Sequence, residues 1–277
     1  MLPMLKRGSS IYVTLLLGLL ALFWLFPIYI VLVNAFKPAG AMYNSILALP
    51  GGIYMDNFAT AFDKLRFGTT FVNTLILTAG GVLGINLVGS AAGYKLARTR
   101  TRLSSFILYM FVASMMVPIY AIMIPIFVIA RDLKLQGTLF GMIALYIGLG
   151  VAMAVFLYHG FVKSLSKDLD ESAMMDGCGP WKTFVRIILP LLTPITVTIS
   201  IMNMLWIWND FLMPLIMLPD PKHHTLMLAT NAFFGEWYVE WPPLLASLVV
   251  TSLPVLLFFV VFQKYVIAGI TEGAVKG

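Results

Sequence analysis

Glu171-Ser172-Ala173-Met174-Met175-Asp176-Gly177, followed after nine residues by Ile187-Ile188-Leu189-Pro190, decides how this chain is read. The stretch puts an acid-started, polar turn with a glycine break directly before an apolar segment. Around it lies a chain of 277 residues, 60% hydrophobic and 11% charged, with a mean hydropathy of +0.94. A soluble domain of that length cannot hide so much apolar surface, so the composition predicts an integral membrane protein. The single cysteine, Cys178, excludes an internal disulfide and leaves stability to helix packing. The net charge of +6 sits in short segments between apolar runs, which reads as membrane topology rather than nucleic-acid binding.

Uncharged runs at about 11–36, 67–94, 103–130, 135–162, 187–209 and 241–263 each reach the ~20 residues a helix needs to cross hydrocarbon. The first follows Lys6 and Arg7, and Ala39-Gly40-Ala41 resembles a cleavage site, but the apolar stretch Ile11 to Val33 exceeds the ~7–15 residues of a signal core. A retained first helix is expected. With the N-terminus inside, the inner segments carry Lys6, Arg7, Lys95, Arg98, Arg100, Arg102, Lys163, Lys167, Lys182, Arg186, Lys264 and Lys276, and the outer ones Lys37, Lys64, Arg66, Arg131, Lys134 and Lys222. Twelve against six predicts both termini, and residues 163–186, in the cytoplasm. The expected fold is all-α: six transmembrane helices in one domain over 1–277, core helices at about 67–266, and a short cytoplasmic helix between the fourth and fifth.

Gly80-x-x-x-Gly84 and Gly89-x-x-x-Gly93 in the second span have the spacing that lets a neighbouring backbone approach, although glycine is also simply common in membrane helices. Prolines at 118, 125, 190, 194, 214 and 254 predict bent or broken helices. Between Ser164 and Arg186 the acids Asp168, Asp170 and Glu171 come early and the bases Lys182 and Arg186 late, as a helix dipole favours. Ser166 is a candidate cap. Gly177, Gly179 and Pro180 predict two short helices meeting at a turn along the membrane surface, with Pro190 starting the next span.

The pattern Glu171-Ser172-Ala173-x-x-x-Gly177-x9-Ile187-x-Leu189-Pro190 resembles the EAA signature of importer permeases of the ATP-binding-cassette (ABC) superfamily, with Ser172 in place of an alanine. Residues Gln263 to Gly277 resemble the end of sugar-importer permeases of the maltose-transporter type, and the six-helix layout matches them. The resemblance implies that the loop is a coupling helix docking in a cleft of a cytoplasmic ATPase, whose closure rocks the permease between inward-open and outward-open states. Glu171, Ser172, Ala173, Asp176 and Gly177 are the expected coupling residues: Glu171 to accept charge-assisted hydrogen bonds, Ala173 to permit close approach, Gly177 to turn the backbone.

Asp210 falls in an apolar stretch between Trp206, Trp208, Asn209 and Phe211, and a carboxylate there needs water, a partner or a cavity. It reads either as a pathway residue or as an interfacial one within an aromatic belt. A sugar pathway suits Trp206, Asn209 and Asp210, with Trp237 and Tyr238 further along the chain, since aromatic faces cover a pyranose ring while the polar groups bind hydroxyls. The loop from Pro219 to Pro243 carries Trp237 and Tyr238 beside Glu236 and Glu240, and the resemblance implies contact there with an extracytoplasmic binding protein. Adjacent His223 and His224 are poorly spaced for joint metal ligation and read as loop residues, and no metal site is expected.

The leading expectation is therefore a permease subunit of an ABC importer for a sugar or oligosaccharide in a bacterial-type inner membrane. The sequence has no Gly-x-x-x-x-Gly-Lys-Ser/Thr loop, so ATP and Mg²⁺ are expected on a separate ATPase and no cofactor on this chain. Implied partners are two ATPase subunits, a second and different permease, the binding protein and membrane lipid. An ion-coupled secondary transporter is the alternative, though it calls for several intramembrane ionisable groups and an internal repeat. An enzyme is not expected: there is no His-Glu-x-x-His, and neither a serine nor Cys178 has an evident base.

Overall fold

The computed structural model describes residues 7–274. Lys6 and the terminal Val275-Lys276-Gly277 lie outside the described residues, and of Lys264 to Ala274 only the helical backbone is described. In chain order the helices are α1 (Arg7–Ala35), α2 (Ala39–Asn44), α3 (Asp56–Leu65), α4 (Phe67–Arg98), α5 (Arg102–Ser114), α6 (Met123–Asp132) and α7 (Leu139–Ser164). Then come α8 (Asp168–Met175), α9 (Pro180–Thr183), a π-helical turn at Phe184–Ile188, α10 (Leu189–Leu191), α11 (Thr193–Trp208), α12 (Leu212–Met217), α13 (Leu226–Ala229) and α14 (Trp241–Ala274). The fold is all-α.

Two compact units divide the chain, one running up to Phe67 with Thr230–Pro254, the other taking Gly68–Ala229 and the residues from Val255 on. In the first, the apolar side chains of α1 from Tyr12 are largely exposed, as lipid-facing residues must be. Beyond α1 the chain is tied locally: buried Lys37 donates to Asn34 Oδ1 and Ser45 O, and Asn57 donates to the carbonyls of Ala35 and Lys37.

The second unit is organised by α4 against α7. A Cβ on Gly80 would lie 2.7 Å from Ile143, on Gly84 2.2 Å from Ile147, on Gly89 2.7 Å from Ala154 and on Gly93 2.6 Å from Tyr158. The expected glycine-mediated approach is therefore present, and it assembles the core. Contacts climb both helices in the same direction, so α4 and α7 run parallel. Parallel neighbours require the chain between them to travel back.

That return is α5 and α6, which correspond to the run 103–130. Helices of 13 and 10 residues reach only about 20 and 15 Å, so neither crosses alone. Pro118 stands in the break, as the proline reading anticipated. Among the described residues four helices are long and apolar enough to cross a membrane, and a fifth is formed by Pro180–Leu191 with Thr193–Trp208, bent by 74°. The sixth run of the sequence reading falls on α5 and α6, where among the described residues no single helix is long enough to cross.

The 74° bend has a local cause. In a continuous helix the Pro190 carbonyl would accept from the N–H of residue 194, but that residue is Pro194. Thr193 Oγ1 donates to Pro190 O instead, at 2.6 Å. The expectation that Pro190 starts the next span is thus corrected: Pro190 precedes the bend, and Pro194 occupies the first turn after it.

Inside this core, Tyr158 Oη donates within a network that also holds Asn86 Oδ1 at 2.7 Å and Thr196 Oγ1 at 2.8 Å, while Asn86 Nδ2 donates to Ser200 Oγ at 3.0 Å. Three helices, α4, α7 and α11, are joined through polar groups that hydrocarbon would otherwise leave unpaired.

Candidate functional site

The loop after α7 folds as two short helices about a glycine turn. Asp168, Asp170 and Glu171 occupy the first turn of α8, and Ser166 Oγ accepts the Asp168 N–H just ahead of it. The helix ends in a Schellman motif: the Cys178 N–H reaches Ala173 O at 2.9 Å and the Gly177 N–H reaches Met174 O at 3.0 Å. Gly177 has φ of +75°, a conformation that an L side chain holds at a cost of about 1–2 kcal/mol. Pro180 then opens α9, and the π-helical turn carries the chain to the bend.

α8 has two unlike faces. Glu171, Ser172, Met174, Met175 and Asp176 are exposed, and Trp181 beyond the turn is 71% exposed. Asp170 and Ala173, three residues apart, turn inward. The close approach permitted by the small Ala173 side chain is therefore to this chain's own interior, not to the open face carrying Glu171.

Asp170 fastens the helix. The Tyr94 hydroxyl donates to its Oδ1, and Arg98 Nη2 lies 2.8 Å from its Oδ2 as a charge contact. Arg98 also donates to the carbonyls of Val162, Leu165 and Ser166. One guanidinium thus binds the last carbonyls of α7 and the first turn of α8 to the end of α4. Phe184 stacks on Tyr94 with ring centres 5.2 Å apart and packs against Trp181 at 5.6 Å, bringing the second short helix to the same post. The sequence reading missed Tyr94 and Arg98. Their signal is a tyrosine and an arginine four residues apart, closing an otherwise apolar helix on one face.

Asp210 stands just past α11, half-buried, and accepts from Tyr146 Oη at 2.9 Å. It also receives the Met213 N–H at 3.4 Å, at the start of α12. Tyr146 is fully buried in α7 and meets Trp206 edge to face at 5.4 Å. Trp206 in turn lines a groove of about 240 Å³ between α7 and α11, with Gly150, Met153, Met202 and Asn203. Asn209 is exposed and bonds its own helix at Leu205 O. Tyr146, one of two tyrosines in an apolar run, was the unread partner.

The chain before α13 is tied down by Asn73, which donates to the carbonyls of Lys222 and His224, and by Thr74, which accepts the Leu226 N–H. Asp220 accepts the Lys222 N–H, and that bond holds its carboxyl below the usual carboxylate range.

Trp237 and Tyr238 belong to the first unit. A bridge between Phe234 and Val239 and a bond from Gly235 N to Tyr238 O make a tight hairpin, with Trp237 88% exposed at its tip. Glu240 anchors its base through an ion pair with Lys64, which also lies over the Phe233 ring.

A family model described as binding-protein-dependent transport system inner membrane component matches residues 85–272. The chain is 37% identical to the "Probable starch degradation products transport system permease protein AmyC" of Thermoanaerobacterium thermosulfurigenes, over 96% of this chain and 97% of that one. It is also 37% identical to the "Melibiose/raffinose/stachyose import permease protein MelC" of Bacillus subtilis, over 98% and 99%. A solved bacterial ABC transporter involved in importing the acidic polysaccharide alginate has a chain that superposes with a TM-score of 0.84, at 24% identity, over 95% of this chain and 99% of that one, and so shares the fold.

Proposed function

Because this chain belongs to the family of binding-protein-dependent transport system inner membrane components, we propose that it forms part of the pathway of an ATP-driven importer for a sugar or oligosaccharide. The observation that carries the reading is α8, pinned from inside at Asp170 while its other face stays open. In the proposed importer that face, with Glu171, Ser172 and Asp176, meets a cytoplasmic ATPase, and Gly177 with the buried Ala173 gives the helix its shape. ATP and Mg²⁺ sit on that partner, which works as a pair beneath this chain and a second, different permease. Both termini then lie in the cytoplasm, and the Trp237–Tyr238 hairpin faces the binding protein that delivers substrate.

The names of AmyC and MelC, each similar over nearly its whole length, support an oligosaccharide as cargo. Trp206 supplies an aromatic face in the groove, and Asp210 with Asn209 supplies acceptors for hydroxyls. The ion-coupled alternative rests on Asp210 alone.

The test is uptake of labelled maltotriose and raffinose by vesicles holding the assembled complex. Uptake is expected to require ATP on the ATPase side together with binding protein. Gly177→Val, strained at a positive φ, is expected to insert normally and to lower uptake at least tenfold. Uptake driven by a proton or sodium gradient without any ATPase would sink the proposal.

Asp210→Asn keeps an acceptor for Tyr146 Oη but removes the charge. We expect assembly to persist while KM or sugar preference shifts by about tenfold, the scale of a hydrogen bond to a charged group. Unchanged kinetics across a panel of sugars would reduce Asp210 to a residue that only caps α12.

A further inference from the structure

A cavity of about 1090 Å³ opens where the end of α4, the start of α5 and the end of α7 meet. Arg98 lines it, but its charge is answered by Asp170. Arg100, Arg102, Lys163 and Lys167 line it too, and none of them forms an ion pair with a carboxylate among the described residues. Four cations around one space repel one another unless an anion joins them. The N-terminus of α5, a helix of 13 residues capped by Thr101, adds the positive end of its dipole to the same wall.

Thr99, Thr101, Ser104, Ser105 and His159 also line it, and the rest of the wall is apolar. Phe106 and Tyr109 line the cavity and, with Leu103 and Met110, continue as an exposed apolar face along α5. A free inorganic anion would satisfy the cations and leave that face bare. An anionic head carrying hydrocarbon satisfies both, and basic pockets beside membrane helices have the chemistry to hold such heads.

We propose that this cavity binds the phosphate headgroup of an anionic phospholipid, whose acyl chains lie along the exposed face of α5. The site is independent of the transport reading. An occupant here lies beside Arg98, so lipid composition reaches the post that holds α8.

The test counts lipids bound to the full chain by native mass spectrometry after exchange into nanodiscs of phosphatidylcholine, with or without phosphatidylglycerol. Phosphatidylglycerol is expected to be retained in preference. Arg100→Gln combined with Lys163→Gln is expected to weaken retention by more than about tenfold, as loss of two headgroup-level cations implies, while Lys222→Gln, outside the cavity, leaves it unchanged. If the pair does not fold, Lys167→Gln alone should cost about three- to fivefold. Equal retention of the two lipids, or an unaltered double variant, overturns the proposal. Inorganic phosphate held in pure phosphatidylcholine discs would mark a free-anion site instead. A double variant that keeps its lipid but loses a co-purifying subunit would mark a protein interface, and the lipid assignment would fail.

Discussion

Asp170→Ala lowers the melting temperature of the purified chain by roughly 8 °C, an expectation built on about 3 kcal/mol for stripping a mostly buried ion pair of one partner. The variant leaves the Arg98 guanidinium without its carboxylate and Tyr94 Oη without its acceptor. Three carbonyls still hold Arg98, so the chain is weakened and not unfolded. The same change frees the first turn of α8 from α4. If α8 docks on the ATPase as proposed, ATP hydrolysis in the assembled importer is expected to continue while uptake falls, since the helix no longer drags the membrane core. Replacing both partners, Arg98→Met with Asp170→Leu, should recover only part of the stability, because the Val162, Leu165 and Ser166 carbonyls lose their donor. Thermal unfolding followed by tryptophan fluorescence, set beside coupled hydrolysis and uptake, measures both arms. A melting point within a degree of the parent and intact coupling would show that Asp170 does not fasten α8.

Gly93→Leu is expected to abolish recovery of folded protein. A Cβ at this position would lie 2.6 Å from Tyr158 Cβ, 3.0 Å from His159 N and 3.2 Å from Val155 O, and two of those neighbours are backbone that cannot swing aside. The only relief is to push α7 off α4, which also pulls Tyr158 from Asn86 and Thr196. That exceeds the ~1–3 kcal/mol of ordinary overpacking. Gly160→Leu is the control: the site is exposed on α7, with nothing within 4 Å of a Cβ. The fraction of each variant eluting as a single species in mild detergent decides the matter. Equal yields would refute the glycine seam.

The glycines of α4 and the prolines around the bend were legible in the sequence because each acts through its own backbone chemistry, which a residue letter states outright. Pro190 was misplaced because two prolines four residues apart compete to define one bend, and only the fate of the Pro190 carbonyl tells which side each falls on. The run 103–130 read as a single helix because hydropathy sees apolar length and not continuity. The loop carrying α8 was found from Glu171 and Gly177, whereas its attachment was not. Asp170 pairs with Arg98 and Tyr94, more than seventy residues away for each partner, and no local pattern records that separation. Tyr146 was hidden for the same reason: beside Asp210 it is a hydrogen-bond donor, but along α7 it is one aromatic among many.

The 74° elbow before Thr193 gives the second unit a mechanical ratio. α11 has 16 residues and so is about 24 Å long, and pivoting it by only 5° or so at Leu192 sweeps its far end through about 2 Å. Asp210 rides just beyond that end, held to Tyr146 on another helix by a bond of 2.9 Å. A displacement of this size is enough to part them. A small rotation at the hinge would thus be felt, one helix length away, as the parting of Tyr146 from Asp210.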